Sequence, residues 1–437
     1  MTTALIISAL TAVAMVTAVL VKPYVAVGKI KIGLYWVACL IGALLILAFG
    51  VISPVKAWEG ITADSEVNPL KILALFLSMT ILSIYLGDAG FFDLIADKIF
   101  LKAKGGQLKL FLILYAVVAV LTVFTSNDII ILTFTPPICV FASRAKISPL
   151  PYLFGEFIAA NTWSMMLIVG NPTNIYLASS GGIGFAQYFS VMWLPAIAGG
   201  LAGLLALLIA FGKRLNKPID RGRMDFVPGR HKIVVETVPM IVAIAHLLVC
   251  IALLAFSYTL KVEMWVICVA LAVSLTLFNA VYGIIKQKSV KRVVNGLKKA
   301  PYELIPFVLS MFVIVLALSE CGFTSMISDA IISGTKADGI SFGFISAIAS
   351  NVLNNIPMSV LFEKIIAGSS TSALFGAIIG SNVGAFITPV GALAGIMWTK
   401  ILGSYDVKLS FGKFMLYGVC TAIPSIVAST AVLWLII

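Results

Sequence analysis

Apolar segments long enough to cross a roughly 30 Å hydrocarbon layer recur from one end of this chain to the other. Hydrophobic residues make up 61% of the 437 positions and charged residues only 11%. The reading is an all-α, polytopic membrane protein. The first segment, "TTALIISALTAVAMVTAVLV", has no basic region before it and no small-residue cleavage site after it. It is expected to be a retained span rather than a signal peptide. Six cysteines lie scattered, without CxxC spacing and beside only two histidines. They read as free core thiols, and neither a metal site nor a disulfide framework is expected.

Charge gives the orientation. The net charge is +12, and two stretches hold nearly all of it. "GKRLNKPIDRGRMDFVPGRHK" (212–232) carries seven Lys/Arg against two acids, and "KQKSVKRVVNGLKKA" (286–300) six against none. The positive-inside rule puts both in the cytoplasm, with two spans between them at roughly 237–257 and 263–284. The basic residues come without a pattern of interleaved aromatics that would stack on bases, so no nucleic-acid partner is expected. From there the sides alternate: the N-terminus out, 22–31 in, 54–70 out, 97–109 in. "LFLILYAVVAVLTVFTSNDIIILTFTPPICVFASRAK" then leaves the inside and returns to it at Arg144 and Lys146. Charge alone does not tell two full crossings from a re-entrant hairpin whose polar tip sits at mid-depth.

An internal repeat favours the hairpin. "PLKILALFLSMTILSIYLGDAGFFDLIADKI" (69–99) aligns without a gap on "PYELIPFVLSMFVIVLALSECGFTSMISDAI" (301–331), with matches that include Pro69/Pro301, Gly90/Gly322 and Asp97/Asp329. The first copy runs inward and the second outward, so the halves are inverted copies, the arrangement of secondary transporters. The expected division is a first repeat at 1–212, with a hairpin at 109–143 and a broken span at 150–180. A cytoplasmic basic linker follows at 213–236, then a second repeat at 237–437, with a hairpin at 340–367 and a broken span at 372–400.

Each half then supplies one polar tip, "TSNDII" or "SNVLNNIPMS", and one interrupted span, "VGNPTNIYLA" or "IGSNVGAFITPVGALAGIMW". Pro172 and Pro389 remove a backbone donor, and Gly170 and Gly391 permit unwinding. Freed backbone groups inside a membrane must face protein, an ion or water. Four symmetric breaks are therefore expected to converge on one polar cavity, the plainer alternative being Pro kinks and Asn–Asn helix contacts. No Ser/His/Asp set, metal-ligand cluster or P-loop is present, so an enzyme is not expected. A channel would also use polar rings, but paired inverted breaks favour alternating access.

"SNDIIILTFTPPI", "VGNPTNI", "NNIPMSV" and "GAFITPVGALAGIMW", in this order and around a basic central loop, resemble the arsenite efflux permease (ArsB-like) branch of the ion transporter superfamily. The resemblance runs from about Pro69 to the C-terminus. It implies about ten spans, two re-entrant hairpins and an elevator mechanism in the cell membrane. It further implies export of arsenite or antimonite, as neutral hydroxides, in exchange for protons. A cytosolic ATPase subunit and a homodimer are the partners it allows, besides membrane lipid and a small inorganic or anionic substrate. The alternative within the superfamily is a sodium-coupled carboxylate carrier or a sodium/proton antiporter. No cofactor is expected beyond a coupling Na+ or H+. Where that branch is expected to carry acids, this chain has Asn161 and Asn382.

Asp128 is accordingly read as the coupling group, the one carboxylate of the expected site. Asn127, Asn354 and Asn355 are expected to contact substrate or ion from the tips. Asn171, Thr173, Asn174, Ser381, Asn382 and Thr388 would do so from the broken spans. Ser126 and Ser350 are read as caps of the short arms. Glu156, Glu320 and Glu363 are read as interface residues, with Glu156 alone on a proton path. "LIADKIF" reads as an amphipathic connector along the membrane surface.

Overall fold

The computed structural model describes residues 1–22, 24–27, 30–64, 68–101, 106–219, 235–287, 289–332, 335, 337–367 and 370–437. Most of the basic linker, with His231, lies outside the described residues.

The first half contains α1 (Thr2–Val21), β1 (Tyr24–Val27), β2 (Ile30–Gly33), α2 (Leu34–Ala48), α3 (Pro54–Thr62), α4 (Pro69–Asp88) and α5 (Phe91–Leu101). It continues with α6 (Gln107–Phe124), α7 (Asn127–Arg144), α8 (Leu150–Trp163), two short 3-10 turns, α9 (Pro172–Ser180) and α10 (Phe185–Leu215). The second half contains α11 (Thr237–Ala255), α12 (Ser257–Leu260), α13 (Met264–Gln287), α14 (Lys291–Lys299), α15 (Leu304–Glu320) and α16 (Phe323–Ile331). It ends with α17 (Ala337–Leu353), α18 (Asn355–Ile366), α19 (Thr371–Gly384), α20 (Leu393–Ser404) and α21 (Phe411–Ile436).

Ten crossings follow among the described residues: α1, α2, α4, α8 with α9, α10, α11, α13, α15, α19 with α20, and α21. The pairs α6–α7 and α17–α18 turn back on themselves. The antiparallel ribbon of β1 and β2 was not legible in the sequence, where residues 22–31 read only as a loop.

Local chemistry sets the helix starts. Asn68 caps α4 by accepting from the amides of Leu70 and Lys71, and Pro69 fills the first helical position, where its missing N–H costs nothing. Side chains such as Ile209 and Leu205 stay exposed on α10, as a lipid-facing surface requires.

Ion pairs respect the expected alternation of sides. Lys56 pairs with Glu320 at 2.5 Å, and Lys71 with Asp64 at 2.6 Å and Glu263 at 2.8 Å, all on the side read as outer. Arg292 pairs with Glu236 at 2.5 Å, and Lys299 pairs with Asp88, on the side of the basic loops.

The two halves are interlocked. Each hairpin's first arm packs on the first piece of its own broken span, α6 on α8 and α17 on α19. Each return arm also packs on the second piece of the opposite broken span, α7 on α20 and α18 on α9. Where α8, α20 and α21 meet, Trp398 is fully buried, stacked on Phe157 at 4.8 Å and edge-on to Phe154 and Phe414 at 5.5 and 5.7 Å. Trp398 is thus a packing anchor rather than a lipid-facing residue.

Candidate functional site

The first tip lies inside the protein. α6 ends at Phe124, and Ser126 caps α7 by accepting from the amide of Ile129 at 3.5 Å. Asn127 Nδ2 then donates to Asn161 Oδ1 at 3.1 Å, and Asn161 is itself tied to the carbonyl of Phe157. Asn161 stands eleven residues beyond the start of α8. At 1.5 Å per residue it lies about 16 Å along that helix, near the middle of the hydrocarbon layer. The α6–α7 pair is therefore a re-entrant hairpin.

The two broken spans cross beside that tip. Asn171 caps α9, accepting from the amide of Thr173 at 3.2 Å, with Pro172 at the first helical position. Its Nδ2 donates to Asn382 Oδ1 at 2.9 Å, while Ser164 Oγ, 3.0 Å from the same oxygen, donates to the Asn161 carbonyl at 2.7 Å. Asn382 Nδ2 in turn donates to Asn174 Oδ1 at 2.6 Å, and the hydroxyls of Thr173 and Ser381 lie 3.1 Å apart. Asn174 Nδ2 closes the set on the carbonyls of Ser164 and Leu167. Gly170 is required here by contact rather than by unwinding, since a Cβ on it would stand 2.2 Å from the Ser164 carbonyl oxygen. Gly391 is similar, with a Cβ position 2.8 Å from the Gly384 carbonyl oxygen.

The second tip docks on the second break. Asn354 adopts φ +76° and ψ 151°, a backbone conformation that favours glycine and strains any residue with a side chain. It caps α18 through the amide of Ile356, and its Nδ2 donates to the Val390 carbonyl at 3.0 Å. The Asn355 amide donates to the Gly391 carbonyl at 2.9 Å. Thr388 Oγ1 donates to Asn351 Oδ1 at 2.6 Å, and Asn351 Nδ2 reaches the Gly384 carbonyl at 2.9 Å. Asn351 was missed in the sequence, although it sits in the quoted motif. Ser350 is not a cap, because its hydroxyl bonds back to the Ser346 carbonyl inside α17. Aligned by their caps, Ser126 and Asn354, the tips place Asp128 opposite Ile356.

The convergence expected of the four breaks takes a different form. The amides bond one another and facing carbonyls, and the cavity lies beside them. It measures about 980 Å³ and opens toward Lys298 and Lys299, on the side read as cytoplasmic. Asp128, Thr133, Pro136 and Pro137 of α7 form one wall, with α4, α5 and the start of α15 opposite. Of the ten residues expected at the site, Asp128 alone lines this cavity; the others lie in the seams behind it, all buried except the half-buried Thr388. The charged lining consists of Asp88, Asp93, Asp128 and Glu303 against Lys298 and Lys299, and Tyr35 donates to Glu303 at 2.8 Å. The connector α5 contributes Phe92 and Asp93 to the lining.

A cavity open to one face, two re-entrant hairpins and two broken spans define a polytopic membrane transporter. The profile of the citrate transporter family, CitMHS, matches residues 24–374, and the chain belongs to that family. It is a family of transporters, not of enzymes, and the chain is a multi-pass protein of the plasma membrane. The arsenical pump membrane protein of Escherichia coli K12 is 26% identical over 418 residues, covering 92% of this chain and 93% of its own. A 46 kDa membrane protein of Mycobacterium leprae is 24% identical over 417 residues, with 91% and 93% covered. Among solved structures, the Alcanivorax borkumensis YdaH transporter superposes with a TM-score of 0.53 at 11% identity, covering 99% of this chain and 97% of that one. That likeness concerns the fold.

Proposed function

We propose that this protein is a secondary active carrier that exports trivalent arsenic or antimony, as neutral hydroxides, in exchange for protons. The observation that carries the reading is the cavity itself: it reaches from the cytoplasmic face to the Asp128 carboxylate, and its charged lining has four acids against two lysines. Such a lining disfavours a polyanion and suits a neutral hydroxide held by hydrogen bonds. The resemblance to arsenical pump membrane proteins points the same way.

In this reading Asp128 is the coupling group, binding a proton or, in a sodium-driven variant, ligating Na+. Asn127, Asn354 and Asn355 at the tips, with Asn171, Thr173, Asn174, Ser381, Asn382 and Thr388, hold the seams shut in this inward-open state. They exchange partners with substrate as the tips separate. The unit that moves is α6–α9 with α17–α20, carried within inverted repeats at 1–212 and 237–437 on either side of the linker at 213–236. A homodimer and a cytosolic ATPase subunit are compatible partners, and no organic cofactor is called for.

The test is growth of an arsenite-sensitive strain expressing the native chain or Asp128→Asn, with tracer uptake into everted vesicles under an imposed pH gradient. Resistance and gradient-driven uptake from the native protein, both lost in D128N at equal expression, are the expected results. A well-expressed native protein that confers no resistance but accumulates citrate with sodium would replace this reading by the sodium-coupled carboxylate one.

A further inference from the structure

Glu156 stands on α8 with no exposed surface, inside the seam where α7 and α20 meet α8. Its Oε2 accepts from Trp398 Nε1 of α20 at 3.2 Å, and its Oε1 lies 3.0 Å from Thr135 Oγ1 of α7. No ion pair reaches it among the described residues. Thr135 Oγ1 is also 2.6 Å from the Ile131 carbonyl oxygen, which has no proton to give. A hydroxyl holds one proton, and the shorter contact takes it. The Thr135–Glu156 contact then needs its proton from the carboxyl.

We infer that Glu156 is a neutral carboxylic acid in this inward-open state, donating to Thr135, and that it is a second proton-exchange position of the carrier. The neutral acid satisfies every member of the chain: Trp398 Nε1–H to Oε2, Oε1–H to Thr135 Oγ1, and Thr135 Oγ1–H to Ile131 O. A carboxylate would set two oxygens, Oε1 and Thr135 Oγ1, against each other with one proton for two acceptors, in a site with no countercharge. Losing the proton therefore breaks the bond that pins α7 to α8, at the seam between one hairpin and the opposite broken span. The cavity is close at hand, since Thr133, Pro136, Pro137 and Met397, which flank Thr135 and Trp398, line it.

The surrounding titratable groups do not replace that proton. The Cys139 thiol stands one turn beyond Thr135, and Asp128, two turns before it, faces the cavity. On α6, Tyr115 donates to the Gly200 carbonyl at 2.6 Å. On α10, Arg214 lies 5.9 Å over the Phe211 ring; on α21, Tyr417 packs against Phe154 at 5.0 Å. On α20, Lys400 Nζ sits 4.0 Å over the Tyr24 ring, and α19 offers the neutral amide of Asn382.

The exchange role rests on the proton-coupled reading above; the protonation does not. Infrared spectra of the purified protein in lipid nanodiscs, titrated with base, decide it. One protonated-carboxyl band is expected in native protein and in Asp128→Asn, absent in Glu156→Gln, and shifted but present in Thr135→Val. In vesicles, E156Q is expected to keep arsenite binding and lose pH-gradient-driven exchange. A spectrum of E156Q that retains every carboxyl band of the native protein overturns the protonation. E156Q exchange with native rate and pH profile overturns the exchange role. Native protein that moves no arsenite would strike the proposed function and leave the infrared result standing.

Discussion

Asn171 and Asn382 stand 211 positions apart and share a hydrogen bond of 2.9 Å, one amide from each broken span. Asn382 serves as the hub, accepting from Asn171 while donating to Asn174. The point where two interrupted helices would leave polar groups bare in a membrane is the point where they supply one another.

Replacing that hub exposes how much it holds. Asn382→Ala strips the Asn171 Nδ2 donor and the Asn174 Oδ1 acceptor of their buried partner, at about 1–3 kcal/mol for each group left unpaired. A clear fall in the thermal midpoint in detergent, followed by tryptophan fluorescence, is expected. A midpoint equal to the native one would mean that the network does not secure the crossing.

Gly170 supports a sharper comparison. A methyl group there meets the Ser164 carbonyl oxygen at 2.2 Å, whereas one at Gly212 meets nothing within 4 Å. Gly170→Ala should destabilise by about 1–3 kcal/mol through forced backbone displacement. Gly212→Ala should match or slightly exceed native stability, because alanine is the better helix former. Equal midpoints for the two variants would count against the close approach of the 3-10 turns.

The cavity predicts a pattern of access. In a cysteine-free background, Thr133→Cys should react with a membrane-impermeant maleimide presented to the cytoplasmic face, and Ser381→Cys should not. Thr133 lines the cavity, and Ser381 is fully buried. Labelling of Thr133→Cys only from the opposite face would reverse the assigned orientation.

The outer ion cluster has a pH signature of known sign. Lys71 holds the Asp64 and Glu263 carboxyls below their ordinary values through hydrogen bonds and charge. Groups depressed in the folded state contribute stability above their unfolded pKa values, about 3.9 and 4.3, and lose it as pH falls through the lower folded values. The midpoint should therefore drop between about pH 5 and 3 more in native protein than in Lys71→Met. Added salt should shrink the difference, since both acids are exposed. Parallel curves for the two proteins would remove the cluster from the acid response.

Much of this fold was written in apolar length and in polar interruptions. The hairpin read at 109–143 spans α6 and α7, and the broken span read at 150–180 covers α8 to α9. Membrane helices must satisfy their own backbones, so a cluster that combines Pro, Gly and Asn inside one marks a candidate break, although Pro136 and Pro137 sit within an unbroken α7. What the breaks do was less legible. "NNIPMSV" and "GNPTNI" read as cavity walls rather than as seams, because an amide bonded to Val390 O looks the same in sequence as one awaiting a ligand. Glu156, Thr135 and Trp398 come from three separate segments, and only packing α8 between α7 and α20 makes them neighbours. The ribbon of β1 and β2 carries too short a pattern to separate it from a loop.

The interlock of α7 with α20 has a consequence for synthesis. The return arm of the first hairpin begins at Asn127, but its partner helix begins at Leu393. At about 5–20 residues per second, a ribosome needs tens of seconds to deliver it. Through that interval Glu156 has its threonine but not its tryptophan, and Asn171 has no Asn382. The first half thus enters the membrane with an unfinished polar face, and any insertase or chaperone that shields it must act before α20 arrives.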